Sequence, residues 1–330
     1  MRILKISGLI VGVLIALFVA TFGAVWIFNP FGQSIVVSDP TPHGQRITED
    51  ALIANFYPVA GPGKHPAILL FGGSEGGIGS GITNLAIALH EQNYAVMTVS
   101  YFGGPEQPKK LELIPLEQFD RALSWLKSQP GVEAQALAVI GVSKGAEAAL
   151  LIATRHPELR GVIAAMPSSV AWQGVDPNIL KQILTPPDGS WALGGEPIPF
   201  VPYVEEFPGG VLDLYVDSLA AASSQSEAFI PIETLDIPVL LICGELDTLW
   251  PSCDMARQIE SRAIERQGPE VTVLAYNEAG HAGFGLALDT DHPSFDRLAS
   301  LGGTAESNNA ARLDSWLKSL DYLQAAFDKR

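Results

Sequence analysis

The chain has 330 residues, 47% of them hydrophobic and 17% charged, which is too apolar for a disordered chain and long enough for one large domain or two small ones. Its 20 Lys+Arg face 36 Asp+Glu, a formal charge of −16, so a surface that condenses on nucleic-acid phosphates is excluded and no nucleic-acid partner is expected. Two cysteines, Cys243 and Cys253, are too few for a disulfide framework or a four-ligand zinc site, and their spacing leaves open whether they pair.

The first thirty residues read as lying outside the folded domain. From Ile6 to Phe28 no charge appears, and as a helix this run would reach about 34 Å, enough to cross a hydrocarbon core. Arg2 and Lys5 precede it, and no Lys or Arg follows until Arg46. That asymmetry predicts a single N-terminal transmembrane helix over residues 6–28, with the amino terminus in the cytoplasm and the rest of the chain outside, in the periplasm if the source is bacterial. Residues 1–28 then form the anchor and 33–330 the catalytic domain. The competing reading is a signal peptide, cleaved to give a secreted protein; against it stand the length of the apolar run and the large Phe22 in Phe22-Gly23-Ala24.

Short apolar runs then alternate with amphipathic segments. Strands are predicted at Leu52–Val59, Ala67–Phe71, Ala95–Tyr101, Ala136–Val142, Gly161–Met166, Val239–Cys243 and Val271–Ala275, several uniformly apolar as strands buried on both faces are. Leu116, Phe119, Leu123 and Leu126 mark one helix face; Leu313, Trp316, Leu317, Leu320, Leu323 and Phe327 mark a long terminal helix. The alternation predicts an α/β architecture with a doubly wound, mostly parallel sheet. Residues 167–234 break the rhythm: this stretch is too long for a connection and carries Trp172, Trp191, Phe200, Tyr203 and Phe207. It reads as a cap over an active site, with Trp172, Trp191, Phe200 and Tyr203 as candidate substrate contacts. The alternative is an insertion whose aromatics form a small core of their own.

The strongest chemical signal is Gly141-Val142-Ser143-Lys144-Gly145, a GxSxG element after an apolar strand and before an Ala/Leu-rich helix. A serine on that turn stands clear of the sheet at the positive end of a helix, which makes Ser143 the candidate nucleophile. A serine hydroxyl needs a base to take its proton, and the base needs a carboxylate to orient it. The apolar run ending at Cys243 leads into Gly244-Glu245-Leu246-Asp247, which nominates Asp247, and the small-residue loop around Gly280-His281-Ala282 nominates His281. Glu245 competes for the acid role and His292 for the base, whereas His43, His65, His90 and His156 fall on connections and helix positions, and Asp254 reads as an early-helix charge. The oxyanion donors are expected to be Lys144 N–H and an amide of Gly73 or Ser74, in the glycine-rich segment Phe71-Gly72-Gly73-Ser74-Glu75-Gly76-Gly77. The side chains of Lys144 and Glu147 read as helix-start and surface charges. Neither a nucleotide loop nor a metal-ligand cluster is recognisable, so no cofactor is expected.

These residues resemble the catalytic domain of the acyl-CoA thioesterase and bile acid-CoA:amino acid N-acyltransferase family, over roughly residues 50–328. The resemblance rests on the FGGSEGG segment, the GVSKGAE elbow, Pro167–Gly174, Phe229–Glu233, Gly244–Ser252, Ala279-Gly280-His281, and Leu301–Thr304 followed by Ala310–Trp316. It implies an α/β-hydrolase fold, a triad on Ser143, Asp247 and His281, and hydrolysis of acyl thioesters or esters through an acyl-serine; in the family, cysteine at the elbow goes with transfer to an amine. Transfer to an acceptor, or an extracytoplasmic esterase or peptidase of the dienelactone-hydrolase or prolyl-oligopeptidase type, are the alternatives. Coenzyme A thioesters are cytosolic, which sits poorly with an exported domain.

Overall fold

The structure, a computed structural model, describes residues 17–27, 29, 35–49, 52–206, 209–222 and 227–328. Eight strands form the main sheet: β1 (Gln45–Ile47), β2 (Ile53–Tyr57), β3 (His65–Phe71), β4 (Ala95–Ser100), β6 (Val132–Val142), β7 (Gly161–Ala165), β10 (Val239–Gly244) and β11 (Val271–Tyr276). Their order is β1-β2-β4-β3-β6-β7-β10-β11. The β1/β2 and β2/β4 pairs are antiparallel, and every later pair is parallel.

A strand's side chains alternate between the two faces of its sheet, and β3 shows why this one needs cover on both. Ala67, Leu69 and Phe71 enter one core with Phe119, Leu123 and Leu126 of α2 (Glu117–Ser128) and Ile259 of α6 (Ser252–Glu265). Ile68 and Leu70 enter the other, with Leu85 and Leu89 of α1 (Ser80–Glu91) and Leu323 of α7 (Ala305–Asp328). Helix α3 (Lys144–Ala153) follows β6 and is buried along its whole length. Parallel neighbours require crossovers, and the helices that supply them cover both faces.

All seven predicted strands are present with ends shifted by a few residues. Missing from the prediction are β1 and a second sheet of β5 (Ile114–Pro115), β8 (Trp191–Leu193) and β9 (Glu196–Pro197), elements of two or three residues that carry no readable period. The terminal helix is present, and Trp316, Leu320, Leu323 and Phe327 of its expected face pack on the core, but two of the expected leucines do not. Leu313 and Leu317 are exposed, while Asn308, Ala311, Ser315, Ser319, Leu323 and Ala326 are buried. Small side chains let α7 lie close to the sheet, and the hydroxyl of Tyr322 reaches Pro238 O at 2.6 Å and accepts from Val162 N–H at 3.0 Å.

Of the predicted membrane span, residues 6–16 and 28 lie outside the described residues, and 17–27 are helical. Among the described residues no helix is long and apolar enough to cross a membrane. Nor is the end of this helix separate from the rest of the chain: Asn178 Nδ2 donates to Val25 O at 2.7 Å and Trp26 O at 3.2 Å. Asn178 also caps α4 (Ile179–Leu184), accepting from the Leu180 and Lys181 amides.

The excursion between β7 and β10 holds α4, β8, β9 and α5 (Val211–Ala221). It builds a cluster from Val170, Trp172, Val201, Tyr215 and Ala228, closed by Trp250 and Met255 from beyond β10. A disulfide joins Cys243, at the end of β10, to Cys253, at the start of α6, with Cα atoms 5.1 Å apart. Replacing both cysteines by serine is expected to lower the unfolding free energy by about 2–3 kcal/mol, because a short cross-linked loop would be released in the unfolded chain. A lower urea midpoint, together with failure of a thiol reagent to label the denatured but unreduced wild type, is the outcome to look for.

Candidate active site

Strand β6 ends at Val142 and α3 begins at Lys144, so Ser143 must turn the chain from strand to helix in one residue. It does so at φ 56° and ψ −122°, a left-handed conformation that costs a non-glycine residue free energy. The flanking glycines are steric requirements: a Cβ on Gly141 would collide with Gly145 O, and one on Gly145 with Gly72 O. The Ser143 amide donates to Ala165 O at 2.8 Å, which pins the turn to β7.

Asp247 follows β10 on a tight loop closed by the disulfide. Its Oδ1 accepts from the amides of Leu249 (2.9 Å) and Trp250 (3.2 Å), and its Oδ2 from the Ser252 hydroxyl at 2.7 Å. His281 follows β11, its amide donating to Leu301 O at 3.0 Å; in the same loop Gly280 N–H donates to Asn308 Oδ1 at 2.8 Å. The Asn308 amide group in turn donates to Leu298 O, Gly302 O and Thr304 O, fastening the loop to α7.

These three side chains meet. His281 Nδ1 lies 2.8 Å from Asp247 Oδ2, and His281 Nε2 lies 2.9 Å from Ser143 Oγ. An ionised carboxylate only accepts, so Nδ1 carries the proton and Nε2 is left to accept from the serine hydroxyl. Asp247 is almost wholly buried and the imidazole nearly so, which excludes water from the chain of bonds. Trp250 stands edge-on to the imidazole, 6.0 Å between centroids. The competitors lie elsewhere. Glu245 pairs with Arg257 at 2.7 Å, as does Asp254 at 2.9 Å, and the ring of His292 accepts from the Ser294 amide in an exposed turn.

Gly73 is buried against the nucleophile: a Cβ on it would lie 2.9 Å from Ser143 Cβ. Ser74 is exposed. The buried Tyr101 hydroxyl lies 2.9 Å from Gly72 O and 2.6 Å from Gly73 O, which fixes the carbonyls of this segment. Lys144 N–H opens α3 directly behind Ser143.

The charges of Lys144 and Glu147 are not at the surface, as expected, but inside. Lys144 is 2% exposed and Glu147 fully buried, with Nζ and Oε2 3.1 Å apart. Burial pushes the lysine's pKa down and the glutamate's up, while the partner's charge opposes each shift. The pair ties the excursion to the nucleophile helix. Glu147 Oε1 accepts from Trp172 N–H (2.8 Å) and the Trp191 indole (2.7 Å), and Lys144 Nζ donates to Ser190 Oγ at 2.9 Å.

This also decides where the excursion's aromatics go. Trp172 and Trp191 are fully buried, since each indole N–H has an internal acceptor, Ser168 Oγ for Trp172 and Glu147 for Trp191, and neither reaches an open surface. Tyr203 stacks on Trp172 and its hydroxyl contacts that of Tyr215 at 3.1 Å; Phe200 packs against the main core. Trp172 and Tyr203 thus pack in the excursion's own cluster and Trp191 and Phe200 in or against the main core, and Phe207 lies outside the described residues. A groove of about 1140 Å³ between α5 and α6, lined in part by Val216, Leu219, Phe229 and Arg262, contains none of Ser143, Asp247 and His281. Among the described residues no group of His, Cys, Asp and Glu could hold a metal ion.

Sequence reasoning passed over Ser252, Asn308 and Glu147 as supports of the site. Only Glu147 carried a signal: an acidic residue inside an otherwise small and apolar helix.

The family model described as "BAAT / Acyl-CoA thioester hydrolase C terminal" matches residues 114–329. The chain belongs to that family. Rat acyl-coenzyme A thioesterase 1 is 28% identical to this family member over 275 residues, covering 82% of this chain and 61% of the rat protein. The chain thus spans about three fifths of the length of the curated relatives it matches. A Mycobacterium tuberculosis puromycin-hydrolyzing peptidase superposes with a TM-score of 0.56 at 14% identity, over 86% of this chain and 40% of that one. A thermophilic carboxylesterase from a metagenomic library gives 0.51 at 15% identity, over 88% and 90%. At such identities the likeness establishes the fold, which is that of the α/β-hydrolases.

Glu147→Ala is expected to destabilise this thioester-hydrolase family member by about 3–5 kcal/mol, because it strands a buried ammonium and two tryptophan N–H donors. Urea denaturation of Glu147→Ala beside Glu147→Gln measures it; a shift under about 1 kcal/mol would mean that the pair holds nothing in place.

Proposed function

We propose that the protein is a serine hydrolase of acyl thioesters or esters, working through Ser143, His281 and Asp247 with a covalent acyl-serine. The observation that carries this reading is the unbroken hydrogen-bond chain from Ser143 Oγ through the imidazole to Asp247, set on the elbow where the serine's backbone is held in a left-handed conformation. His281 takes the hydroxyl proton as Ser143 Oγ attacks the acyl carbonyl carbon, and Asp247 stabilises the imidazolium. The carbonyl oxygen, now an anion, is received by Lys144 N–H and an amide of the Gly73–Ser74 segment. His281 gives its proton to the departing thiol or alcohol. A water activated by the same imidazole then attacks the acyl-serine, and the acid leaves as Ser143 recovers its proton.

The thioester half of the reading draws on the similarity to the rat and mouse acyl-coenzyme A thioesterases. One observation favours the ester half. The Cys243–Cys253 disulfide suits an oxidising compartment, in keeping with an anchor over residues 6–28 that leaves the catalytic domain outside the cytoplasmic membrane, where coenzyme A thioesters are not found.

The full chain in detergent, assayed on a medium-chain acyl-CoA and a simple ester of the same acid, tests both halves. Ser143→Ala is expected to cut kcat/KM on the preferred substrate by at least about a thousandfold with the fold intact by circular dichroism. Undiminished turnover would remove the serine mechanism, and the ratio of the two wild-type kcat/KM values assigns the leaving group.

A further inference from the structure

The glycine-rich segment beside the nucleophile carries one acidic side chain that the proposed mechanism leaves unused. Glu75 turns back over its own loop. A Cβ on Gly72 would collide with Glu75 Oε1, and a Cβ on Gly73 would lie 3.1 Å from Glu75 Oε2 and 2.9 Å from Ser143 Cβ. Carboxylate and nucleophile thus flank the same glycine, and only the missing side chains of Gly72 and Gly73 leave room for the carboxylate there. Glu75 is exposed as a residue, while its carboxyl turns inward against Gly72 and Gly73. Burial pushes its pKa up; its own N–H and that of Gly73, which face the carboxylate, and then the charge of His281 pull the other way. The buried Tyr101 hydroxyl, fixed on Gly72 O and Gly73 O, feels the carboxylate's charge as well.

An amide aimed at a developing oxyanion is a donor with no partner while the site is empty, and an unpaired buried N–H is costly. We propose that the Glu75 carboxylate is the resting occupant of the Gly73 anion cradle and must swing out before an acyl carbonyl can enter, so that Glu75 acts as an acidic gate on substrate binding. A gate of this kind lowers apparent affinity by the fraction of molecules in which the cradle is free. Glu75 is a positioning residue here, with no role in moving protons or forming bonds to substrate.

The sign of its pH dependence follows. Protonation removes the negative charge that the amides hold, so substrate enters more easily below the pKa of Glu75, which lies above the ordinary carboxylate value, and KM rises as pH rises through it. His281 and Tyr101 are the titratable groups facing the carboxylate from the neighbouring loops, while Lys144 and Glu147 behind the elbow are paired with each other.

This inference rests on the serine-hydrolase reading, and the test keeps the two apart. The full chain, Glu75→Ala and Glu75→Gln are assayed for KM and kcat across acidic to neutral pH on the preferred substrate, and for the inhibition constant of an alkylboronic acid that mimics the tetrahedral oxyanion. The expected result is a fall of about five- to tenfold in both KM and the boronate constant for Glu75→Ala, a flattened pH dependence of KM, and kcat within about threefold. A smaller shift in the same direction is expected for Glu75→Gln, which keeps the shape without the charge and carries the test if the alanine variant fails to fold by near-ultraviolet circular dichroism. An unchanged or raised KM, or a kcat reduced tenfold or more, overturns the gate. A wild type without Ser143-dependent turnover fails the hydrolase reading instead, whereas Ser143-dependent turnover with KM and boronate constant unmoved by Glu75→Ala overturns the gate alone.

Discussion

The site depends on one constrained residue. Ser143 has to reverse the chain between β6 and α3 with a positive φ, and a side chain in that conformation is tolerated only where its surroundings over-determine it. Each neighbour contributes to that constraint: Gly141 and Gly145 leave the space, Ala165 O accepts the serine amide, and Gly73 lies against the serine's Cβ. The same turn that strains the backbone presents the hydroxyl to an imidazole arriving from a loop 138 residues further along the chain.

Around the elbow, three fastenings hold parts that sequence separation would otherwise leave loose. The buried Lys144–Glu147 pair collects Trp172, Ser190 and Trp191 from the excursion, so the segment covering this end of the sheet and the nucleophile helix share one polar centre. The disulfide and the Ser252 hydroxyl confine the loop of Asp247. Asn308 fastens the His281 loop to the terminal helix. Charges kept in a dry interior are expensive unless paired and hydrogen-bonded, so burying this pair one residue from the nucleophile favours a single arrangement of excursion and elbow over looser ones.

The chain belongs to the BAAT / acyl-CoA thioester hydrolase family and has the α/β-hydrolase fold, and hydrolysis is the reaction proposed for it. In the proposed reading, the uncharged run at the amino terminus and the disulfide go with an oxidising compartment rather than with coenzyme A esters. Substrate choice therefore turns on the leaving-group side of the cleft and on what the Gly72–Glu75 segment admits to the oxyanion position, more than on the triad, which would serve thioester and ester alike.

What the sequence determined by itself were the features written in short-range pattern. Apolar runs of five to eight residues, several of them uniform, between amphipathic segments specify strands buried on both faces, hence a mostly parallel sheet with helices on each side, and all seven runs became strands. A serine between glycines at a strand-to-helix junction, an acid just past an apolar run and a histidine in a small-residue loop were legible for the same reason: each sits at a fixed offset from an element whose period can be read. Tertiary structure alone decided the rest. Leu313 and Leu317 look like core but face solvent, because the serines and alanines of α7 let the backbone approach the sheet where larger side chains would hold it off. Trp172 and Trp191 look like a substrate wall but are buried, because Ser168 and Glu147 supply internal acceptors that no local pattern reveals. Lys144 and Glu147 look like surface charges for the same reason, and the place of Glu75 over Gly73 follows from a loop closing on itself. Pairings between residues far apart in the chain, or folded back within a glycine turn, leave no periodic trace in sequence, and these pairings set the electrostatics of the site.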